Sequence, residues 1–226
     1  MASTDTLISD TLKAWRFLCK RGFIEGFGHL SVRLPGDRFL VTRHSLGPAA
    51  TADDLLEMDL QGRKRSGGGE APGEFPIHLE IYKARPDAGS VIHYHGLYST
   101  AFSTSEQSLR PIHLVGTIFH DGIPVYPDPR LITDPQRGAA LARALGSHRA
   151  VLMRAHGAAI AGSDLKEAVA SAYLFEENAR RAWVSAGLGK PVWIDERMAA
   201  AAGTELIENR GPFRRVWALV ESDDKE

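Results

Sequence analysis

Four helices are predicted by the spacing of apolar residues, because side chains three or four positions apart share one face of a helix. They fall within residues 7–22, 75–87, 134–146 and 163–189. Gly22 can end the first helix, Pro86 stops the second, and Asp134 can cap the third ahead of Pro135. Two weaker helical segments complete the chain after residue 189.

Strands are predicted between these helices. Leu30, Val32 and Leu34 alternate with polar residues, which is typical of a half-buried strand, and residues 38–42 follow a Pro-Gly-Asp turn as its hairpin partner. Further strands are expected over residues 90–96, over 123–127, and on both sides of a turn within 150–162. We find no internal repeat and no linker, so we expect one α/β domain spanning residues 1–226.

The segment between the hairpin and the second helix is harder to assign. Thr51 and Asp54 occupy capping-box-like positions, which are typical of a helix start, and a turn follows at Gln61-Gly62. Residues 65–74 form a glycine-rich stretch that is expected to be a loop.

The composition narrows the classes of partner. The formal charge of −1, without a basic stripe, disfavours nucleic acid and anionic membranes and leaves small molecules as the expected ligands. The single cysteine, Cys19, excludes an intramolecular disulfide. The first residues lack a signal-peptide pattern, and no apolar run reaches the length of a membrane span. We therefore expect a soluble, cytoplasmic protein.

Histidines provide the candidate chemistry. His93 and His95 lie two apart in a predicted strand and should project from the same face, which suits two ligands of one metal ion. A pair of hydrogen-bonded structural histidines is the alternative. His156 follows an apolar strand and precedes Gly157, which allows the backbone to turn closely around a site. His78 lies four residues after Glu74, on the same helical face.

The other five histidines have no such context, so surface or core positions are favoured for them. They are His29, His44, His113, His120 and His148.

Five motifs occur in an order that resembles the class II aldolase/adducin family, from about residue 12 to about residue 186. They are GFGHLSVR (26–33), FLVT (39–42), GEFPIHLEIYKARPD (73–87), VIHYH (91–95) and LMRAHG (152–157). The resemblance implies a three-layer α/β/α sandwich around a central, mostly antiparallel sheet. It implies a homo-oligomer, most commonly a tetramer.

The same resemblance implies a metal site. The family's ligands fall on His93, His95 and His156, and its acid/base carboxylate falls on Glu74. Zn²⁺ suits three imidazoles best, although Fe²⁺, Co²⁺ or Mn²⁺ can use the same ligands. Without the three histidines beside it, Glu74 would be interpreted as a solvated carboxylate at a helix start.

The chain departs from the family's sugar-phosphate aldolases at their phosphate cradle. Gly26 and His29 replace a threonine and an asparagine, and Pro72 and Gly73 replace two serines. Each lost charge-assisted hydrogen bond is worth about 1.5–3 kcal/mol, which disfavours a phosphorylated substrate. The aldolases' tyrosine proton donor is matched by Leu114, which cannot donate.

What remains is similar to the branch of the family that decarboxylates dihydroxylated aromatic acids such as dihydroxyphthalates. Gly28, His29 and Arg43 are the expected substrate-binding residues, with His44 nearby, and arginine suits a carboxylate. We predict a metal-dependent carbon–carbon lyase of aromatic catabolism, with Glu74 as the proton-transfer group. The alternatives are an aldolase for a non-phosphorylated hydroxy-keto acid, an iron-dependent oxygenase and a non-catalytic adducin-like module.

Overall fold

The computed structural model describes residues 3–225. The helices are α1 (Thr4–Lys20), α2 (Pro76–Ala84), α3 (Leu97–Ser103), α4 (Pro135–Leu145), α5 (Leu165–Leu188), α6 (Glu196–Asn209) and α7 (Gly211–Asp223). The strands are β1 (His29–Leu34), β2 (Arg38–Thr42), β3 (Leu55–Asp59), β4 (Lys64–Ser66), β5 (Ser90–Tyr94), β6 (Val125–Tyr126), β7 (Ala150–Met153) and β8 (Gly157–Gly162). Two 3₁₀ segments cover Ala52–Asp54 and Leu114–Phe119.

One sheet holds all eight of these strands, in the order β4-β3-β2-β1-β5-β8-β7-β6. Six neighbouring pairs are antiparallel, and only β6 and β7 run parallel. The centre of the sheet therefore places the end of β5 beside both the start of β1 and the start of β8. The predicted α/β/α sandwich with a mostly antiparallel sheet is confirmed.

Helices cover both faces of the sheet, and each face has its own apolar cluster. One cluster joins the sheet to α1, α3, α5 and α7, and the other joins it to α2 and α4. Because both faces are covered, β1 is buried on both sides: Ser31 is 0% exposed and His29 is 6% exposed. The prediction of a half-buried strand was wrong here, and the polar side chains of β1 face a protein layer.

The helices predicted from apolar spacing are confirmed, and Asp134 caps α4 as expected. The helix start expected at Thr51 was wrong beyond one turn. Thr51 and Asp54 do form a capping box, but it opens only a 3₁₀ turn, and the chain continues as β3. Leu55 and Leu56 pack on opposite faces of the sheet, so burial with a period of two overrides the local helix signal.

The aromatic residues of α7 pack inside their own chain. Phe213 and Trp217 are buried in the cluster with α1 and α5, while Leu219 is partly exposed. These two aromatic residues therefore need no neighbouring subunit to bury them.

None of the helices within residues 3–225 is long and apolar enough to cross a membrane. The single domain over residues 1–226 stays a prediction, and its outermost residues 1, 2 and 226 lie outside the described part.

Candidate metal and proton-transfer site

Three histidines meet at the end of β5. His93 lies on this strand, His95 follows it directly, and His156 occupies the turn between β7 and β8. Their ring centroids are 4.7 to 5.2 Å apart. One ligand atom from each ring and one carboxylate oxygen of Glu74 all lie within 4.8 Å of one another. The structure therefore brings together the four residues that the sequence singled out, from three separate segments.

Nitrogen atoms at this site have the chemistry of metal ligands. His93 Nδ1 lies 3.0 Å from the carbonyl oxygen of Ala158, which can only accept, so Nδ1 donates and Nε2 keeps its lone pair. His93 Nε2 and both ring nitrogens of His156 are buried without a hydrogen-bond partner. Leaving such atoms unpaired costs free energy, and a divalent metal ion would satisfy one nitrogen of each ring. The donor set therefore fits the metal.

Two of the imidazoles are held in the neutral form that coordinates a metal. Burial and the neighbouring rings hold the pKa of His93 well below its ordinary value, and burial lowers the pKa of His95. An imidazole ligand adds no charge of its own, so the charge of a divalent ion would stay available to a substrate.

Glu74 lies in the turn just before α2, with one carboxylate oxygen anchored and the other facing the histidines. Oε1 accepts the backbone N–H of Ile132 at 2.7 Å. Oε2 lies 3.3 Å from His156 Nε2 and 3.7 Å from His93 Nε2. This arrangement places a carboxylate oxygen beside two of the candidate ligand nitrogens.

The groups around Glu74 determine its ionisation state in the free chain. Burial raises its pKa, but His156, His93 and the Ile132 N–H together outweigh burial and lower it to about 2. Glu74 is therefore a carboxylate at neutral pH in the free chain. As a proton donor it must first take a proton from its substrate.

Gly157 allows the turn that carries His156 to approach β5. A Cβ atom there would lie 2.3 Å from the carbonyl oxygen of Tyr94 and 2.8 Å from His95 Cδ2. Neither atom can yield without moving the strand end or the ligand. The close approach expected at this glycine is confirmed.

We expect Gly157→Ala to lower the free energy of unfolding by about 1–3 kcal/mol, as overpacking usually does. It should also lower the metal content, because relief of the clash moves His95 or His156. Urea unfolding and elemental analysis measure the two effects. Gly187→Ala is the control, since a Cβ there meets nothing within 4 Å and alanine favours the helix. Full metal content in Gly157→Ala would contradict this role.

His29 and Gly28 adjoin the histidine cluster. His29 pairs with His93 across β1 and β5, and the two ring centroids are 5.0 Å apart. Gly28 has a φ of +107°, and a Cβ there would lie 2.8 Å from the carbonyl oxygen of His93. Gly28 therefore has a backbone role in seating His29 beside the cluster. Substrate binding by these two residues stays a prediction.

Arg43 follows β2 and is engaged by its own chain. Its Nε donates to Asp54 Oδ1 at 2.6 Å, and Nη1 donates to the carbonyl oxygen of His44. The His44 backbone N–H in turn donates to the carbonyl oxygen of Glu70, which ties the glycine-rich loop to this segment. Substrate binding by Arg43 stays a prediction, and Nη2 is the nitrogen with no protein partner among the described residues.

Sequence reasoning missed a buried polar chain behind His29. His29 Nδ1 lies 2.6 Å from His78 Nε2, His78 Nδ1 lies 2.6 Å from Ser31 Oγ, and Ser31 Oγ lies 2.8 Å from the Tyr82 hydroxyl. Burial, with a smaller contribution from His93, lowers the pKa of His78 to about 3. Two features of the sequence could have indicated it. His29 and Ser31 lie two apart on a strand and so share a face, and His78 and Tyr82 lie four apart on a helix and so share a face.

The comparisons with known proteins point to one family. The family model described as "Class II Aldolase and Adducin N-terminal domain" matches residues 9–183. The 3,4-dihydroxyphthalate decarboxylase of Arthrobacter keyseri is 34% identical over 175 residues, which are 70% of each chain. The enzyme of the same name from Rhodococcus jostii (strain RHA1) is 32% identical over 201 residues, 81% of this chain and 82% of that relative.

A solved structure shares the fold. The L-fuculose 1-phosphate aldolase of Glaciozyma antarctica PI12 superposes with a TM-score of 0.82 at 25% identity. The superposition covers 98% of this chain and 94% of the aldolase.

Proposed function

The chain belongs to the class II aldolase and adducin family, and from this premise we propose that it is a metal-dependent lyase that decarboxylates a dihydroxylated aromatic acid of the dihydroxyphthalate type. The observation that carries the proposal is the convergence of three imidazoles and the Glu74 carboxylate, with one ligand atom of each within 4.8 Å of the others. A complete ligand and carboxylate set disfavours an adducin-like module without catalysis.

A non-phosphorylated substrate is supported by the space around Gly73. A Cβ there would meet no atom within 4 Å, so packing does not exclude the serine that the phosphate-binding aldolases have. The absence of that serine is therefore not imposed by packing, which is in accord with a substrate that lacks a phosphate. The higher identity to 3,4-dihydroxyphthalate decarboxylases, over most of the chain, favours an aromatic acid over a sugar phosphate.

We propose His93, His95 and His156 as ligands of a divalent ion, with Zn²⁺ favoured by an all-imidazole set. When bound, the ion supplies positive charge for the electrons that remain on the ring and its oxygens. Gly28, His29 and Arg43 are proposed to border the ring and its carboxylates.

Glu74 can account for the proton in this reaction. It starts as a carboxylate and takes the proton of a ring hydroxyl. The bond between the ring and the carboxylate breaks, its electron pair stays on the ring, carbon dioxide leaves, and Glu74 returns the proton to the ring carbon. The hydroxyl regains a proton from water. The anchoring of Oε1 by the Ile132 N–H keeps Oε2 in place for both transfers.

We also propose a cytoplasmic homotetramer, in accord with the family. Light scattering should give four times the chain mass of 24.7 kDa, and a monomer mass would contradict the tetramer.

The reaction is tested with a substrate panel. Carbon dioxide release is measured from dihydroxyphthalates and hydroxybenzoates, with and without a chelator, beside the cleavage of a hydroxy-keto acid and of fuculose and ribulose phosphates. We expect chelator-sensitive carbon dioxide release from a dihydroxyphthalate and little cleavage of the phosphates. Cleavage of the hydroxy-keto acid to two carbonyl products, with no carbon dioxide from any aromatic acid, would favour the aldolase alternative.

A further inference from the structure

A line of four polar side chains runs from the core to the candidate site. Tyr82, Ser31 and His78 are at most 1% exposed, and His29 at the outer end is 6% exposed. The three links measure 2.8, 2.6 and 2.6 Å. His78 uses both of its ring nitrogens in these links and His29 uses only Nδ1, so His29 Nε2 has no hydrogen-bond partner among the described residues. The state of each link therefore constrains the next.

The inner end sets the direction of these hydrogen bonds. The Tyr82 hydroxyl is buried, and its one side-chain partner is Ser31 Oγ, so the phenol donates to the serine. Ser31 then has its own proton to donate, either to His78 Nδ1 at 2.6 Å or to the carbonyl oxygen of Val91 at 3.4 Å. The shorter contact is the stronger hydrogen bond, which makes His78 Nδ1 an acceptor.

The proton position on His78 in turn determines the proton position on His29. A neutral imidazole that accepts at Nδ1 carries its proton on Nε2, so His78 Nε2 donates to His29 Nδ1. His29 then carries its own proton on Nε2. With no carboxylate in contact with either ring and both rings buried, the neutral forms are favoured.

We propose that Tyr82, Ser31 and His78 are positioning residues that hold His29 in the Nε2–H form, so that His29 offers an N–H donor to a carboxylate oxygen of the substrate. This inference deepens the proposed function and rests on it for the identity of the ligand. With His29 in this form, the site would favour aromatic acids over neutral phenols. The reverse direction would instead present a lone pair, which repels a carboxylate and suits a hydroxyl.

The tautomers can be observed directly. Long-range ¹H–¹⁵N correlation spectra of the zinc-loaded, ¹⁵N-labelled chain distinguish Nε2–H from Nδ1–H histidines, and His29→Asn and His78→Gln assign the two signals. We expect the Nε2–H form for both residues. An Nδ1–H form of His29 in the unaltered chain would overturn the proposal, whether or not the protein decarboxylates anything.

A binding experiment tests the selection for a carboxylate. Ser31→Ala removes the donor to His78 Nδ1, so His29 should populate both tautomers. The affinity for 3,4-dihydroxybenzoate should fall by the inverse of the remaining Nε2–H fraction, about twofold for equally populated tautomers, while the affinity for 1,2-dihydroxybenzene stays unchanged. Ser90→Ala is the matched control. Ser90 is equally buried, and its hydroxyl donates to the backbone carbonyl oxygen of Ser31, so it takes no part in the side-chain hydrogen bonds from Tyr82 to His29.

Equal losses for both ligands, or an equal effect of Ser90→Ala, would overturn the positioning role. Tyr82→Phe gives a second route, since it removes only the inner hydroxyl and should move the His29 tautomer in the same direction as Ser31→Ala. Neither measurement depends on turnover. If the tautomer and binding results are as expected but no decarboxylation occurs, the proposed function is contradicted and the positioning role of Tyr82, Ser31 and His78 still holds.

Discussion

Replacing His93 by alanine should remove the bound metal and abolish carbon dioxide release. His93 is the ligand with the most constrained geometry, because it is fully buried and its Nδ1 is fixed by the Ala158 carbonyl oxygen. Two imidazoles and a carboxylate would remain, with a cavity where the third nitrogen was. The loss of rate should exceed the 10²–10³-fold typical of deleting one donor to developing negative charge, since all of the metal's charge is lost.

Elemental analysis and the carbon dioxide assay measure this effect on one preparation. His148→Ala is the control, because His148 precedes β7 at the end of that strand opposite His156 and is paired with Asp121. His156→Ala should reproduce His93→Ala. Unchanged metal content in both ligand variants, beside a folded circular dichroism spectrum, would show that the metal site is elsewhere.

Glu74→Gln should lower the rate of decarboxylation by about 10²–10⁴-fold while the metal content stays the same. Glutamine keeps the shape and an oxygen that can accept the Ile132 N–H, but it cannot take up the hydroxyl proton or return one to the ring carbon. Since Glu74 is ionised in the free chain, the substitution also removes the base that starts the sequence.

The control for this variant is Glu70→Gln in the exposed glycine-rich loop, which changes the same functional group on a side chain outside the cluster of Glu74 and the three histidines. It should decarboxylate at the rate of the unaltered chain. If Glu74→Gln also kept that rate, Glu74 would not be the proton-transfer group, although the reaction itself could stand.

Period and spacing were enough to predict the helices and to pair His93 with His95. β5 ends at Tyr94, so His95 lies just beyond the strand, yet its ring is still 4.7 Å from that of His93. The three proposed metal ligands could be identified from the sequence because each adjoins a strand end or a glycine whose local signal is strong.

Features that depend on distant segments could not be predicted in this way. β3 forms because the two faces of the sheet bury Leu55 and Leu56, which local capping signals do not show. The pKa of Glu74 depends on rings from β5 and the β7–β8 turn and on a backbone N–H 58 residues away. The hydrogen bonds from Tyr82 to His29 form only because α2 lies beside β1 in the folded protein.

A metal titration tests whether decarboxylation depends on one metal ion bound by the histidine cluster. Metal-free chain is prepared with a chelator, Zn²⁺ is added in steps, and the initial rate of carbon dioxide release from 3,4-dihydroxyphthalate is recorded at each step. We expect no carbon dioxide release without metal. The initial rate should then rise linearly up to one ion per chain, and it should not rise for His93→Ala. Release that is independent of metal, or a fully loaded chain that releases no carbon dioxide from this acid, would contradict this expectation.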